Sequence, residues 1–331
     1  MIQPDSEGTI DSKNASFNWT RKDLIGLEEI SKDELLHILN TARGMQAISN
    51  RSIRKAPALR GRVAVLLFFE PSTRTRTSFQ LAAERLSADT IEFTEKMSAT
   101  RKGETLIDTA QNIEAMGVDI MIVRHAAPGS SQIIANNVDC CVVNAGDGPH
   151  EHPTQALLDI FTMQEHFGKD LTGKKVAFIG DIAHSRVARS NLFGLVKLGA
   201  EVHLIGPRTL LPNGFKRYHP NVHLHHHLDE ILPELDCINL LRIQLERQGA
   251  LNFPSIREYN KLYCIDERRM KLAKPNVLIM HPGPMNREVE IASSVADGKN
   301  SAILKQVTNG LAVRMAVLLL VMTAADSSIL A

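Results

Sequence analysis

A helix N-terminus leaves backbone N–H groups unpaired and presents about half a positive charge. A short hydroxyl-rich turn leading into a helix is therefore a ready cradle for phosphate. Residues 68–79 read FFEPSTRTRTSF, in which a Pro-Ser turn follows an apolar run and the spacing predicts a helix beginning at Thr73. Ser72, Thr73 and Thr75 offer hydroxyl donors, and Arg74 offers a planar fork for phosphate oxygens. Helix capping would explain Ser72 alone. It does not explain Arg74 and Arg76 set directly against an apolar run.

The same pairing of apolar run and polar tip recurs along the chain. DIMIV is followed by Arg124-His125, CVVN by AGDGPHEHPTQ, AFIG by DIAHSR, CINLL by RIQLER, and VLIM by HPGPMNR. The runs VAVLLFF at 63, DIMIV at 119, CCVVN at 140, KVAFIG at 175, VHLIG at 202, CINLL at 237 and VLIM at 277 have the length and β-branched content of strands buried on both faces. Between them, residues 75–86 place Phe79, Ala82, Ala83 and Leu86 on one helical face, and residues 154–167 do the same with Leu157, Ile160, Phe161 and Gln164. Alternating strands and helices specify an α/β fold with mainly parallel sheets. Ligands of such sheets bind beyond the carboxyl ends of the strands, where all six polar tips fall. A first sheet ending near residue 150 and a second starting near Lys174 imply two domains, with the active site in the cleft between them.

Composition narrows the function. The 331 residues carry 38 Lys plus Arg against 37 Asp plus Glu, a formal net charge of +1, which offers no broad field for nucleic acid or an anionic membrane. The basic group Arg51, Arg54, Lys55, Arg60 and Arg62 lacks interleaved aromatics and reads as a solvated turn. The polar, acidic start has neither the basic nor the apolar part of a secretory signal, and residues 1–20 are expected to form a mobile tail. The apolar run at 315–325 is too short for a bilayer and reads as a buried helix. Cys140, Cys141, Cys237 and Cys264 show no metal-binding or disulfide spacing and read as buried, reduced thiols, which fits a cytoplasmic protein. HLHHH at 223–227 is the densest part of a thirteen-histidine set, but it lies between a Pro turn and a helix with no other ligand type near it in sequence, so no metal site is expected.

STRTRTSF, MSATRKGETL, VRH, NAGDGPHEHPTQALLD, GDIAHSR, RIQLER and HPGPMNR, in this order, resemble the catalytic chain of the aspartate carbamoyltransferase family over about residues 20–325. Ser-Thr-Arg-Thr marks carbamoyltransferases in general, and Arg242-Ile-Gln244 with His-Pro-Gly-Pro selects aspartate as acceptor. The resemblance implies transfer of the carbamoyl group of carbamoyl phosphate to L-aspartate, giving N-carbamoyl-L-aspartate and phosphate in pyrimidine synthesis, with no metal or organic cofactor. It implies a carbamoyl phosphate-binding domain over residues 21–153, an aspartate-binding domain over 154–307, and a C-terminal helix at 308–325 packed back on the first.

By the same resemblance, Ser72, Thr73, Arg74 and Thr75 hold the phosphate, and Thr75, Arg124 and His152 converge on the carbonyl oxygen. Gln155 and the backbone of Pro282, Gly283 and Pro284 meet the carbamoyl NH₂ side. Arg186 and Arg242 take the α- and β-carboxylates of aspartate, with Gln244 nearby. Ser98 and Lys102 belong to a loop that the family lends to the neighbouring subunit, so a homotrimer is expected; pairing of trimers, and association with regulatory chains or dihydroorotase, stay open. His125, His184 and His281 at the strand tips are expected to support loops. Two positions depart from the family pattern. Glu151 stands where Gln is frequent and would raise the basicity of nearby groups, and Arg287 stands two positions beyond an arginine that some members carry and is expected to do that residue's work.

Three other readings compete. An ornithine-using carbamoyltransferase would need acidic residues in the second domain. A nicotinamide-binding protein would need G-x-G-x-x-G after Gly180, where the chain has Arg186 instead. An inactive scaffold would lack matched site residues, and none is missing.

Overall fold

The computed structural model describes residues 17–49, 51–94, 104–243 and 255–326. In chain order the helices are α1 (Lys32–Ser49), α2 (Thr73–Arg85), α3 (Leu106–Glu114), α4 (Ser130–Ala135), α5 (Pro153–Phe167), α6 (Arg186–Lys197), α7 (Leu228–Ile231), α8 (Ile256–Tyr263), α9 (Glu267–Met270), α10 (Ser293–Ala296) and α11 (Ile303–Ala325). The strands are β1 (Val63–Phe68), β2 (Asp89–Thr94), β3 (Ile120–His125), β4 (Cys141–Asp147), β5 (Lys175–Ile179), β6 (Glu201–Ile205), β7 (Val222–His225), β8 (Cys237–Leu240) and β9 (Leu278–Met280).

They form two parallel sheets, ordered β2-β1-β3-β4 and β7-β6-β5-β8-β9. Central strands are buried on both faces, as their unbroken Val, Ile and Leu content requires. The two edge strands differ: β2 reads DTIEFT with Asp89, Ile91 and Glu92 exposed, and β7 reads VHLH. Neither carries an apolar run, so neither stands out in the sequence.

Helix α2 begins at Thr73 and buries Phe79, Ala82, Ala83 and Leu86. Helix α5 is buried over its whole length from Pro153 to Gln164, more than an amphipathic stripe demands, because α6, α11 and β4 pack around it. Helix α11 follows the second sheet in the chain and packs on α1, α2 and α5. It starts earlier than its most apolar stretch, and its 23 residues are long and apolar enough to cross a bilayer, which the run at 315–325 alone is not. Here it is a core helix, with Asn309 and Arg314 buried along it.

One hydrophobic cluster joins Leu66 and Val143 of the first sheet to Val176, Phe178 and Leu204 of the second through α5 and α11. Of the tail expected over residues 1–20, residues 1–16 lie outside the described residues, while Trp19 is buried in this cluster and its indole N–H donates to the Arg21 carbonyl at 2.7 Å. Leu24 bridges to Val143 at the edge of β4, and Lys197 of α6 donates to the carbonyls of Leu27, Glu28 and Ile30. Residues 24–30 thus strap the two halves together.

Candidate active site

The carboxyl ends of β1, β3, β4, β5, β8 and β9 meet around one cleft of about 510 Å³. Ser72, Thr73, Arg74, Thr75, Arg124, His152, Gln155, Arg186, Arg242, Pro282, Gly283 and Pro284 all line it.

On the β1 side, Ser72 occupies the N-cap position of α2, yet its side chain makes no capping bond. Capping therefore does not account for this serine, which lines the cleft at the helix end whose first-turn N–H groups have no partner within the helix. Arg74 is open to cleft solvent, and its guanidinium lies flat against Gly283: a Cβ there would sit 2.6 Å from Nη1 and 2.9 Å from Cζ. Partial burial and the nearby Arg242 hold the Arg74 pKa below its ordinary value, which marks a region short of negative charge. Arg76, its neighbour in sequence, points elsewhere and pairs with Glu92 of β2 at 3.1 Å.

At the ends of β3 and β4, Arg124 Nη1 donates to the Ala145 carbonyl at 3.1 Å and Nη2 to Glu70 at 3.3 Å. Arg186, the first residue of α6, binds the same carboxylate in fork fashion, Nη1 to Oε2 at 2.9 Å and Nη2 to Oε1 at 3.1 Å. Glu70 follows β1, so this contact spans the two halves. Gly146, at φ +122°, lets both arginines approach; a Cβ would stand 3.0 Å from Arg186 Cζ and 3.1 Å from Arg124 Nη1. His152 occupies the N-cap position of α5 without a side-chain capping bond and is buried, with Nδ1 lacking a hydrogen-bond partner. Burial, reinforced by Arg124, Arg186 and Arg314, pushes its pKa well below the usual histidine value. The ring is thus neutral, able to donate a hydrogen bond without carrying charge.

Two groups that do not stand out in the sequence complete the site. Asp159, four residues after Gln155 on α5, accepts from Gln155 Nε2 at 2.9 Å, Gln306 Nε2 at 2.8 Å, Asn191 Nδ2 at 2.8 Å and Asn239 Nδ2 at 3.1 Å. Burial raises its pKa to about 6, and the four amides counter that rise. Gln306 in turn accepts from the His281 backbone N–H at 2.9 Å, which ties the Gln155 side chain to the loop that presents Pro282 and Gly283. His281 holds that loop from within, Nδ1 accepting from Gly283 N–H at 2.8 Å and Nε2 meeting Glu290 at 3.1 Å. The Gly283–Pro284 peptide is cis. Arg314 of α11 lines the cleft floor, donates to Ser78 Oγ at 2.7 Å and lies 5.0 Å over the Phe79 ring; burial lowers its pKa to about 10. An acid and an arginine on otherwise apolar helix faces were the available signals.

Other candidates fall elsewhere. Ser98, Lys102 and Gln244 lie outside the described residues. Glu151 does not act on the cleft as expected from its sequence position: its carboxylate accepts from Leu27 N–H at 2.9 Å, Glu28 N–H at 3.2 Å and Ser190 Oγ at 2.7 Å, anchoring the strap. Ser190 Oγ also accepts from His152 N–H at 2.8 Å. Arg287 does not replace a site arginine either, because Asp297 holds its fork at 2.7 and 2.8 Å away from the cleft. His125 and His184 support loops, accepting from Ala127 N–H at 2.9 Å and meeting Asp181 at 2.8 Å. The first three residues of the HLHHH tract, 223–225, lie in strand β7 and His227 is the N-cap residue of α7; β6 sets Glu201 and His203 beside the strand part, ligand types that adjacency in sequence does not reveal.

Two parallel α/β lobes with a cationic cleft at their strand ends, no nucleotide-binding glycine turn, and a hydroxyl-rich helix start define a group-transfer site for anionic substrates. Residues 22–165 match the family model for the carbamoyl-P binding domain of aspartate/ornithine carbamoyltransferase, and residues 172–321 match that for its Asp/Orn binding domain. The chain is 53% identical to the aspartate carbamoyltransferase catalytic subunit of Halothermothrix orenii over 300 residues, covering 91% of this chain and 95% of that one. Among solved structures, aspartate transcarbamoylase from Trypanosoma cruzi in complex with N-(phosphonacetyl)-L-aspartic acid superposes with a TM-score of 0.82 at 30% identity, over 92% and 96% of the two chains. Ornithine carbamoyltransferase from Pyrococcus furiosus reaches the same TM-score at 28% identity, over 92% and 97%. The chain belongs to the aspartate/ornithine carbamoyltransferase family.

Proposed function

We propose that this protein transfers the carbamoyl group of carbamoyl phosphate to the amine of L-aspartate, giving N-carbamoyl-L-aspartate and phosphate, an early step of pyrimidine synthesis. Backbone likeness does not separate aspartate from ornithine as acceptor, since both kinds of structure superpose equally well. The observation that carries the choice is the charge of the second lobe. Its described contributions to the cleft include Arg186 and Arg242 and no carboxylate, whereas an acceptor with a cationic side chain calls for acidic partners. Two carboxylates suit two guanidiniums.

The phosphate of the donor is held by the α2 N-terminus with Ser72, Thr73, Arg74 and Thr75, and the carbonyl oxygen faces Thr75, Arg124 and neutral His152. The uncharged amine of aspartate attacks the carbonyl carbon and a C–N bond forms. The C–O bond to phosphate then breaks, phosphate leaves with the bonding pair, and the proton lost by the amine ends on the departing phosphate oxygen. Donors already aimed at a developing oxyanion act without reorganisation, and loss of one costs about 10² to 10³ in turnover. Gln155 and the carbonyls of Pro282 and Gly283 accept from the carbamoyl NH₂. Aspartate displaces Glu70 from Arg186, which couples acceptor binding to movement of one lobe against the other.

Ser98 and Lys102 are assigned to the site of a neighbouring subunit in a homotrimer. Mixing Lys102→Ala with Arg74→Ala chains should restore activity in the hybrids, and hybrids as inactive as their parents would contradict shared sites. The acceptor is tested by phosphate release from carbamoyl phosphate with L-aspartate against L-ornithine. Release that depends on L-aspartate is expected; preference for ornithine would overturn the assignment.

A further inference from the structure

Away from the cleft, near the amino ends of the second sheet's outer strands, a second polar cluster stands on one face. Glu201 and His203 alternate along β6 and so project from the same side, and His203 is paired in register with His223 of the edge strand β7. One ligand atom from each of Glu201, His203 and His223 lies within 4.8 Å of the others. His203 is only 4% exposed, and its Nε2 is buried without a hydrogen-bond partner, 3.7 Å from Glu201 Oε2. Its other nitrogen, Nδ1, lies 3.0 Å from His225 Nε2.

A buried imidazole nitrogen left unpaired beside a carboxylate and a second imidazole costs stability unless something occupies it. We propose that Glu201, His203 and His223 bind a divalent transition-metal ion, with His225 as the positioning residue behind His203. Imidazole and carboxylate donors suit Zn²⁺ and its neighbours rather than Mg²⁺ or Ca²⁺. In this assignment His203 donates Nδ1–H to His225 Nε2, which fixes the tautomer and leaves the lone pair of Nε2 facing Glu201 and His223. A hydrogen bond of this kind behind a ligating histidine is the usual arrangement in metal sites. Zn–N and Zn–O bonds of about 2.0 to 2.2 Å require the donors to draw closer than they stand here. Glu201 and His223 are half-buried and able to turn inward. Lys175, beside Glu201 in register on β5, is itself paired with Glu234 at 2.5 Å.

The second cluster of this type, Glu28, His150 and Glu151, is different in kind. Its Glu151 carboxylate is already taken by backbone N–H groups and Ser190, and His150 Nδ1 meets Asp147 at 3.0 Å. It serves as the control.

The test titrates the full-length protein, stripped with a chelator, with Zn²⁺ alone against a chromophoric competitor, and reads melting temperature in parallel. Binding of one Zn²⁺ per chain tighter than about 10 µM is expected, with a rise in melting temperature. His223→Ala and Glu201→Gln should each weaken binding at least about tenfold and remove the thermal shift. His225→Ala should weaken it about 10- to 100-fold, and His150→Ala should change nothing. Unaltered Zn²⁺ affinity in folded His223→Ala, or no binding by the wild-type protein below about 100 µM, would overturn the site.

Discussion

Glu70 and Arg186 clasp each other across the cleft through two parallel hydrogen bonds of 2.9 and 3.1 Å, and the same carboxylate reaches Arg124 at 3.3 Å. One negative side chain thereby bridges two nearly buried guanidiniums that crowd over Gly146, offsetting one of their two charges. In the proposed reaction the acceptor's carboxylate would have to replace this same group on Arg186.

Replacing Glu70 with Gln removes the charge and keeps the shape. Breaking a buried ion pair from one side costs about 3 to 5 kcal/mol, and less is expected here because Glu70 keeps 19% side-chain exposure. We expect a lower melting temperature and a fall in kcat of at least about tenfold as Arg124 and Arg186 move apart. Steady-state kinetics with both substrates decide the matter, and wild-type kcat in Glu70→Gln would show that the pair is incidental.

Gly283→Ala should act on Arg74. The new methyl would press on the guanidinium at 2.6 Å, at a backbone φ of +67° that costs a non-glycine residue about 1 to 2 kcal/mol. The expected result is weaker carbamoyl phosphate binding and a turnover loss of about 10² or more. Calorimetric titration with a phosphonate analogue measures the binding part; unchanged affinity would mean that Arg74 does not need this contact.

Asp159→Asn replaces a buried acceptor of four amide hydrogen bonds with a group that itself donates two. At least one donor is left facing another, at a cost of about 1 to 3 kcal/mol for each unsatisfied group. Urea unfolding should show the loss of stability. Turnover should fall as well, since Gln155 and the His281 loop hang from the same carboxylate. A variant as stable as the wild type would remove Asp159 from the organising role.

His152 is held neutral by burial and three arginines, so its folded-state pKa is depressed below the unfolded value near 6.5. Above that pH both states are neutral. As pH falls below it, the unfolded chain takes up a proton that the folded protein refuses, and stability declines. Two-dimensional NMR of the imidazole should show neutral His152 shifts unchanged from pH 8 to about pH 5. A titration midpoint near 6.5 would contradict the buried, neutral ring.

Much of this was legible in the sequence because parallel sheets write their strands as apolar runs and hang their function on the following turn. Ser72 to Thr75, Arg124, His152 and Arg186 are readable for that reason. Edge strands are not, since β2 and β7 face solvent and carry no such run. Residues that act across the fold are also hidden: Asp159 and Arg314 join the site only because α11 packs against both α5 and α2, a juxtaposition set by tertiary contacts. Glu151 shows the reverse. Its place beside His152 suggests chemistry, but its buried carboxylate is taken up by the backbone N–H groups of the strap.

Because one apolar cluster runs from the first sheet through α5 and α11 into the second, the lobes share the core between them even though each keeps a smaller cluster of its own. Heating should therefore produce one calorimetric peak whose van't Hoff and measured enthalpies agree, and neither lobe expressed alone should give a stable fragment.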